Sequence, residues 1–214
     1  MDSVYSFAKE LLGSNFITPE EVQAAHKAVD PSFEYGAHTL QHIQKYIPAD
    51  KYLSTLSSVN NIVIPRAPYS MELGEVLQLA GESIVFEKCL DIYDESVVTN
   101  IDWMVVKRYV PSNPVLPISV QAMGDHRLEP MNLTDTLYAV LTYLRVTNSL
   151  PFTRDLIVET EDPRFRKLLV SYSGSNKSDA KIYVKKFDSN ALMEQAAKIF
   201  PPMVQKSMAV YLRC

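Results

Sequence analysis

The segment that decides the fold is Asn132–Asn148, which reads NLTDTLYAVLTYLRVTN. Asn132 is suited to cap a helix because its side-chain oxygen can accept a free backbone N–H, and Asp135 places a negative charge in the first turn. Apolar residues then occur nearly all the way around the helix, which is typical of a helix that is buried on every side. The sequence therefore predicts one central core helix over about residues 132–148, around which the other elements pack.

Short runs of β-branched and aromatic residues lie on both sides of this helix and predict strands. The runs before it are Asn61–Ile64, Ser83–Tyr93, Val97–Val110 and Val115–Met123, and those after it are Leu156–Glu159, Lys167–Tyr172 and Lys181–Phe187. Strands grouped in this way, without regular alternation with helices, favour an α+β fold with a mainly antiparallel sheet. The loop Ser173–Asp179, which is rich in turn residues, predicts that the last two strands form a β-hairpin.

The first part of the chain, residues 1 to about 57, is predicted to be helical. Apolar residues recur at helical spacing from Val4 to Leu12, and Gly13 is a typical stop. Thr18-Pro19-Glu20-Glu21 reads as a cap, a first-turn proline and a capping-box glutamate. The buried residues of this second helix are expected to be Val22, Ala25, His26 and Val29.

Further helices complete the predicted α+β fold. A third helix is expected to run to about Ile47, a short fourth from Asp50 to Leu56, and another from a Ser70 cap to a Gly81 stop. Two C-terminal helices are predicted, one over Ser189–Phe200 and one over Val204–Leu212. We expect a helical N-terminal region (1–57) and an α+β core domain (58–214) that together form one compact unit.

Composition and charge exclude several classes of function. The 214 residues are 47% hydrophobic, and 21 basic against 25 acidic residues give a net charge of -4, which creates no overall attraction for nucleic acid or anionic lipid. The N-terminus lacks the pattern of a signal peptide, and no apolar run is long enough to span a membrane. Cys89 and Cys214 are expected to be free thiols. These features predict a cytoplasmic protein, or a particle component if the protein is viral.

Glu34, His38 and His42 are the most specific candidate site. Their spacing by four residues places them on one side of a helix, where two imidazoles one turn apart can share a divalent metal. Thr39 stands where a zinc-protease helix carries its general base, so the alternative is an ordinary polar helix face. His26 is expected to be a buried neutral histidine bonded to a carbonyl. No other cofactor is expected.

The strongest anomaly of charge lies in the predicted C-terminal hairpin. Between residues 164 and 186, seven basic side chains stand against the single acid Asp179, a local balance of +6. The basic residues are Arg164, Arg166, Lys167, Lys177, Lys181, Lys185 and Lys186. They predict a surface for an acidic protein or a nucleic acid, of which nucleic acid is the weaker prediction. The explanation that the sequence favours, however, is that these lysines protect an edge strand against aggregation.

The sequence favours a non-enzymatic role. It contains no nucleophile elbow and no phosphate-binding loop, which are recognisable signatures of acyl-transfer and nucleotide chemistry. We therefore predict a structural or assembly subunit of a larger complex, with a virus or phage particle as one setting, that acts through protein partners or self-association. A metal-dependent hydrolase centred on His38 and His42 is the enzymatic alternative.

Overall fold

The structure is a computed structural model that contains helices together with antiparallel and parallel strand pairs, which confirms the predicted α+β class. It describes residues 4–48, 50, 53–54, 61–86, 103–107, 118–120, 128–130, 132–151, 156–159, 166–174 and 178–187. The two predicted C-terminal helices, both cysteines and the boundary near residue 57 lie outside this part of the chain and stay predictions.

The helices, in chain order, are α1 (Ser6–Leu12), α2 (Pro19–Lys27), α3 (Ala37–Lys45), α4 (Leu73–Ala80) and α5 (Leu133–Thr147). Short 3₁₀ helices follow α1 and α4 at Gly13–Asn15 and Gly81–Ser83. Among the residues described, none of the helices combines the length and the apolar character that crossing a membrane requires.

The strands are β1 (Asn61–Pro65), β2 (Ile84–Phe86), β3 (Trp103–Lys107), β4 (Ile118–Val120), β5 (Leu128–Pro130), β6 (Leu156–Glu159), β7 (Lys167–Ser173) and β8 (Lys181–Lys186). Four of them form a sheet in the order β2-β8-β7-β6, in which only the pairing of β2 with β8 is parallel. The pairs β1–β3 and β4–β5 are antiparallel. Strands β7 and β8 pair along their length, which confirms the predicted hairpin.

The central helix predicted over residues 132–148 is confirmed as α5. The Asn132 side chain accepts a hydrogen bond from the backbone N–H of Asp135 at 2.7 Å, and the helix ends at Asn148, whose φ of 57° is left-handed. Every residue from Leu133 to Leu144 is buried. Because α5 packs against α2, α4, β1 and β6, it connects the helical part of the core to the sheets.

The capping box predicted for α2 is also confirmed. The backbone N–H of Glu21 donates to the Thr18 hydroxyl at 3.3 Å, and the backbone N–H of Thr18 donates to the Glu21 carboxylate at 2.8 Å. The predicted burial of Val29 is wrong, since 51% of this residue is exposed. The reason is that α2 ends at Lys27, shortly before Asp30-Pro31, where proline disfavours helical backbone in the preceding residue.

The cap predicted for α4 is wrong by two residues. Glu72, rather than Ser70, is the N-cap, because its side chain accepts from the first turn while its own backbone N–H donates to the Glu75 carboxylate at 2.8 Å. Gly81 ends the helix with a φ of 59°, as expected of a left-handed stop. Strand β5 was not predicted, since a three-residue strand that ends in proline carries no alternation from which to recognise it.

Candidate interaction surface

The four-stranded sheet has one buried face and one face directed away from the core. In the hairpin, residues directly opposite each other share a face, and successive residues along a strand point to opposite faces. Leu168, Val170, Ile182 and Val184 are fully buried. The open sheet face therefore consists of the residues between them, together with Val85, which pairs with Tyr183: Lys167, Leu169, Ser171, Ser173, Lys181, Tyr183, Lys185 and Val85.

Tyr183 lies near the middle of the open sheet face. Its hydroxyl accepts a hydrogen bond from the Ser173 hydroxyl at 3.3 Å, and the Lys185 Nζ lies 5.4 Å from the centre of its ring. The second contact is a cation–π interaction, which holds the ammonium over the ring without neutralising its charge. Val85, directly opposite Tyr183 on β2, is 39% exposed. An exposed valine, an aromatic ring and a cation thus lie side by side.

Lys181 fixes a second positive charge at the start of β8. Its Nζ donates to the backbone carbonyl of Glu82 at 2.7 Å, which ties the strand to the 3₁₀ helix after α4. A carbonyl accepts one of the three ammonium hydrogens, so the remaining donors can reach another group. The ammonium is thereby held beside the 3₁₀ helix.

The predicted basic residues do not form a single surface. Lys167, Lys181 and Lys185 belong to the open sheet face, whereas Lys186 pairs with buried Leu168 and so belongs to the other face, at its exposed end. Arg166 is exposed and precedes β7. The candidates Arg164 and Lys177 lie outside the described residues.

The alternative explanation of these lysines, protection of an edge strand, does not apply to the central residues of β8. This strand is paired on both sides over Ile182–Val184, with β2 on one side and β7 on the other. Edge protection acts on strands whose backbone groups are open to another chain, and β8 lies inside the sheet. Lys181 and Lys185 flank the doubly paired residues and pair with β7 alone, at Ser173 and Leu169.

The three predicted metal ligands are only partly brought together. His38 and His42 lie one turn apart on α3, with His38 exposed and His42 in edge-to-face contact with the Tyr46 ring at 4.7 Å. Glu34 does not lie on this helix, which begins at Ala37, and its carboxylate pairs with Lys27 at 3.3 Å. Within the described part of the chain, no cluster of three or more potential metal ligands is found. The metal site therefore stays a prediction. Glu34 does not share a helix face with His38 and His42, and that shared face was the reason for including it among the ligands.

His26 is completely buried, as predicted, and its ring lies 4.7 Å from the ring of Phe33. The side chains within hydrogen-bonding distance belong to the central helix α5, so this histidine connects two helices. The carbonyl partner expected from the sequence stays a prediction.

Sequence reasoning did not find a groove of about 430 Å³ between the end of α2 and α4. Its lining residues are Val29, Asp30, Ser32, Tyr69, Met71, Glu75, Gln78 and Leu79. They come from two segments about forty residues apart, which only the fold brings together, so no local motif could have revealed the groove.

Two carboxylates face the phenol of Tyr69 in this groove. Burial raises the pKa of Tyr69 and the negative charges of Asp30 and Glu75 raise it further. Hydrogen bonds from Ser32 to Asp30, at 2.6 Å from the hydroxyl and 2.9 Å from the backbone N–H, lower the pKa of the Asp30 carboxyl. Asp30 is therefore charged at neutral pH, and the groove is lined both by carboxylates and by the buried side chains of Met71 and Leu79.

Comparisons with protein-family models, with curated proteins and with solved structures found no match for this chain. Its function is therefore inferred from the geometry and charge of its own surfaces.

Proposed function

We propose that this chain is a non-enzymatic assembly protein that binds an acidic segment of a protein partner through the open sheet face. The observation that supports this function is the position of Tyr183, beside exposed Val85 and under the ammonium of Lys185, on a strand inside the sheet. Tyr183 itself is paired on both sides and is not open to another strand, which supports a side-chain contact surface around it.

The chemistry of the open sheet face suits a protein partner. Tyrosine is enriched among the residues that dominate binding energy, because it buries a large rigid surface with little loss of conformational entropy. Val85 adds apolar area next to it, and Lys181 and Lys185 select for carboxylates and speed the encounter. The whole protein carries a charge of -4, so it does not attract anions at long range, and any acidic partner must be bound through this local group of lysines and Tyr183.

A second feature supports a role in assembly. Helix α1 buries Ala8 and Leu12 in the core, while Phe7 on the same helix and Val4, two residues before it, are 41% and 62% exposed. These two apolar side chains could add to a contact with a partner. The proposal includes the larger complex predicted from the sequence, with a virus particle as one setting.

The test uses a fluorescent peptide of about ten glutamates as the acidic probe. We expect fluorescence anisotropy to show binding at low salt that weakens as salt screens the attraction. The double variant K181E/K185E should bind at least about tenfold more weakly at low salt, because the attraction becomes repulsion. The matched control is K27E/K45E, which makes the same change in net charge on α2 and α3.

Two outcomes contradict the proposal. Equal affinity of K181E/K185E and K27E/K45E for the peptide would show that general charge, and not the open sheet face, binds the probe. Tighter binding of a ten-nucleotide single-stranded DNA than of the peptide at the same salt would replace the protein partner with a nucleic acid. Circular dichroism of each variant verifies that it is folded.

A further inference from the structure

We infer that the acidic partner of the open sheet face is a second copy of this chain, whose groove between α2 and α4 receives a lysine of that face. The inference rests on the proposed function, and it specifies which protein supplies the acidic segment. Both surfaces lie on one molecule and are opposite in charge.

The groove suits a lysine side chain along its length. Lysine combines a four-carbon apolar stem with a terminal ammonium, and it is stable where the stem contacts apolar groups while the ammonium reaches a polar rim. The lining of the groove includes the apolar side chains of Met71 and Leu79 as well as Asp30, Glu75 and the Tyr69 phenol. Its volume of about 430 Å³ lies within the range of sites that hold ligand-sized groups.

The negative charge of the groove is not balanced by a cation among the residues that the structure describes. Ion pairs in that part of the chain join Lys9 to Glu21 and Lys27 to Glu34. The Asp30 carboxylate accepts from Ser32, and the Glu75 carboxylate accepts from the backbone N–H of Glu72. These neutral donors orient the two carboxylates and leave their charge available to an ammonium.

Contact between two different surfaces of identical chains is head-to-tail. Such an interface uses one surface on each copy and leaves the other free, so it continues into a ring or an open filament instead of stopping at a dimer. Contacts that repeat in this way would let many copies join one assembly.

The experiment measures molar mass by light scattering at increasing protein concentration. At low salt we expect the mass to rise above that of the monomer, and at high salt we expect it to return to the monomer. The variants K181E/K185E and D30K/E75K should each remain monomeric. An equimolar mixture of the two should associate again, because each supplies the charge that the other has lost.

Controls separate a general effect of charge from the inferred contact. E10K/E20K adds the same charge outside the groove and should associate as the wild type does. D30N/E75Q removes the groove charge without adding lysines, and it should weaken association if D30K/E75K fails to fold. A mixture of the two charge-reversed variants that remains monomeric overturns the inference.

The outcome also distinguishes the inference from the proposed function. If the wild type stays monomeric at all concentrations but still binds the glutamate peptide through Lys181 and Lys185, the second copy is wrong and the acidic partner is another protein. If neither association nor peptide binding occurs, both are wrong.

Discussion

The Nη1 of Arg145 lies 2.8 Å from the Nδ1 of His26, inside the core and 119 positions away in sequence. Because a guanidinium can only donate, Nδ1 accepts, and Nε2, which lies 3.0 Å from the Thr142 hydroxyl, carries the proton. Arg145 also donates to the backbone carbonyl of Leu79 on α4. One neutral histidine and one arginine therefore tie α2 and α4 to the central helix.

Replacing His26 by alanine should lower the free energy of unfolding by about 2–4 kcal/mol. The change opens a cavity and leaves Thr142 and Arg145 without the ring to which they are bonded. Urea denaturation measures the loss. Lys27→Ala on the same helix removes only an exposed ion pair and should cost at most about 1 kcal/mol. Equal losses in the two variants would show that the buried contact contributes nothing.

The capping box of α2 gives a smaller expected effect. Thr18→Ala removes the hydroxyl that accepts from the Glu21 backbone N–H and should cost about 1 kcal/mol. Ser14→Ala, at an exposed position before the helix, should change stability by less than about 0.5 kcal/mol. The melting temperatures of the two variants are compared with that of the wild type. An unchanged melting temperature of the Thr18→Ala variant would contradict the role of the cap.

Replacing each of two glycines by alanine should change the free energy of unfolding in opposite directions. Gly174 has a φ of 80°, and a Cβ there would lie 2.6 Å from the carbonyl carbon of Asp179, so Gly174→Ala should destabilise the hairpin. Gly74 lies inside α4 with open space around it, so Gly74→Ala should stabilise by about 0.5–1 kcal/mol. Denaturant midpoints that move in the same direction for both variants would contradict the different backbone environments described for Gly174 and Gly74.

The hydrolase alternative is tested by the metal content of the purified protein. A non-enzymatic role predicts less than one zinc, manganese or iron per chain by elemental analysis, and the same thermal stability in the H38A/H42A variant with and without added zinc. Stoichiometric metal that the double variant loses would favour the alternative. Glu34→Ala provides the matched control, since Glu34 lies before α3 and pairs with Lys27.

Local signals in the sequence were sufficient for the elements that depend on neighbouring residues. The Asn132 cap and the apolar residues around the helix predicted α5, and the Thr18 and Glu21 pair predicted the start of α2, because caps and periodicity act within a few residues. The turn-rich loop before Lys181 predicted the hairpin for the same reason.

The surfaces depend on contacts between distant residues, which no local signal contains. The parallel pairing of β2 with β8 places the central residues of β8 between two strands, which no local pattern in the sequence indicates. The groove likewise combines Asp30 with Glu75 through the packing of separate segments. Strand order and groove shape follow from tertiary packing, so both had to be read from the structure.

The central claim is that the open sheet face is the surface that contacts an acidic protein segment. Its most direct test is a titration of the isotope-labelled protein with the glutamate peptide, followed residue by residue in two-dimensional NMR spectra. We predict that the largest shifts occur at the backbone amides of Val85, Ser171, Tyr183 and Lys185 and that added salt reverses them. Unchanged signals from these residues, while amides of α1 or α3 shift on binding, would contradict the claim.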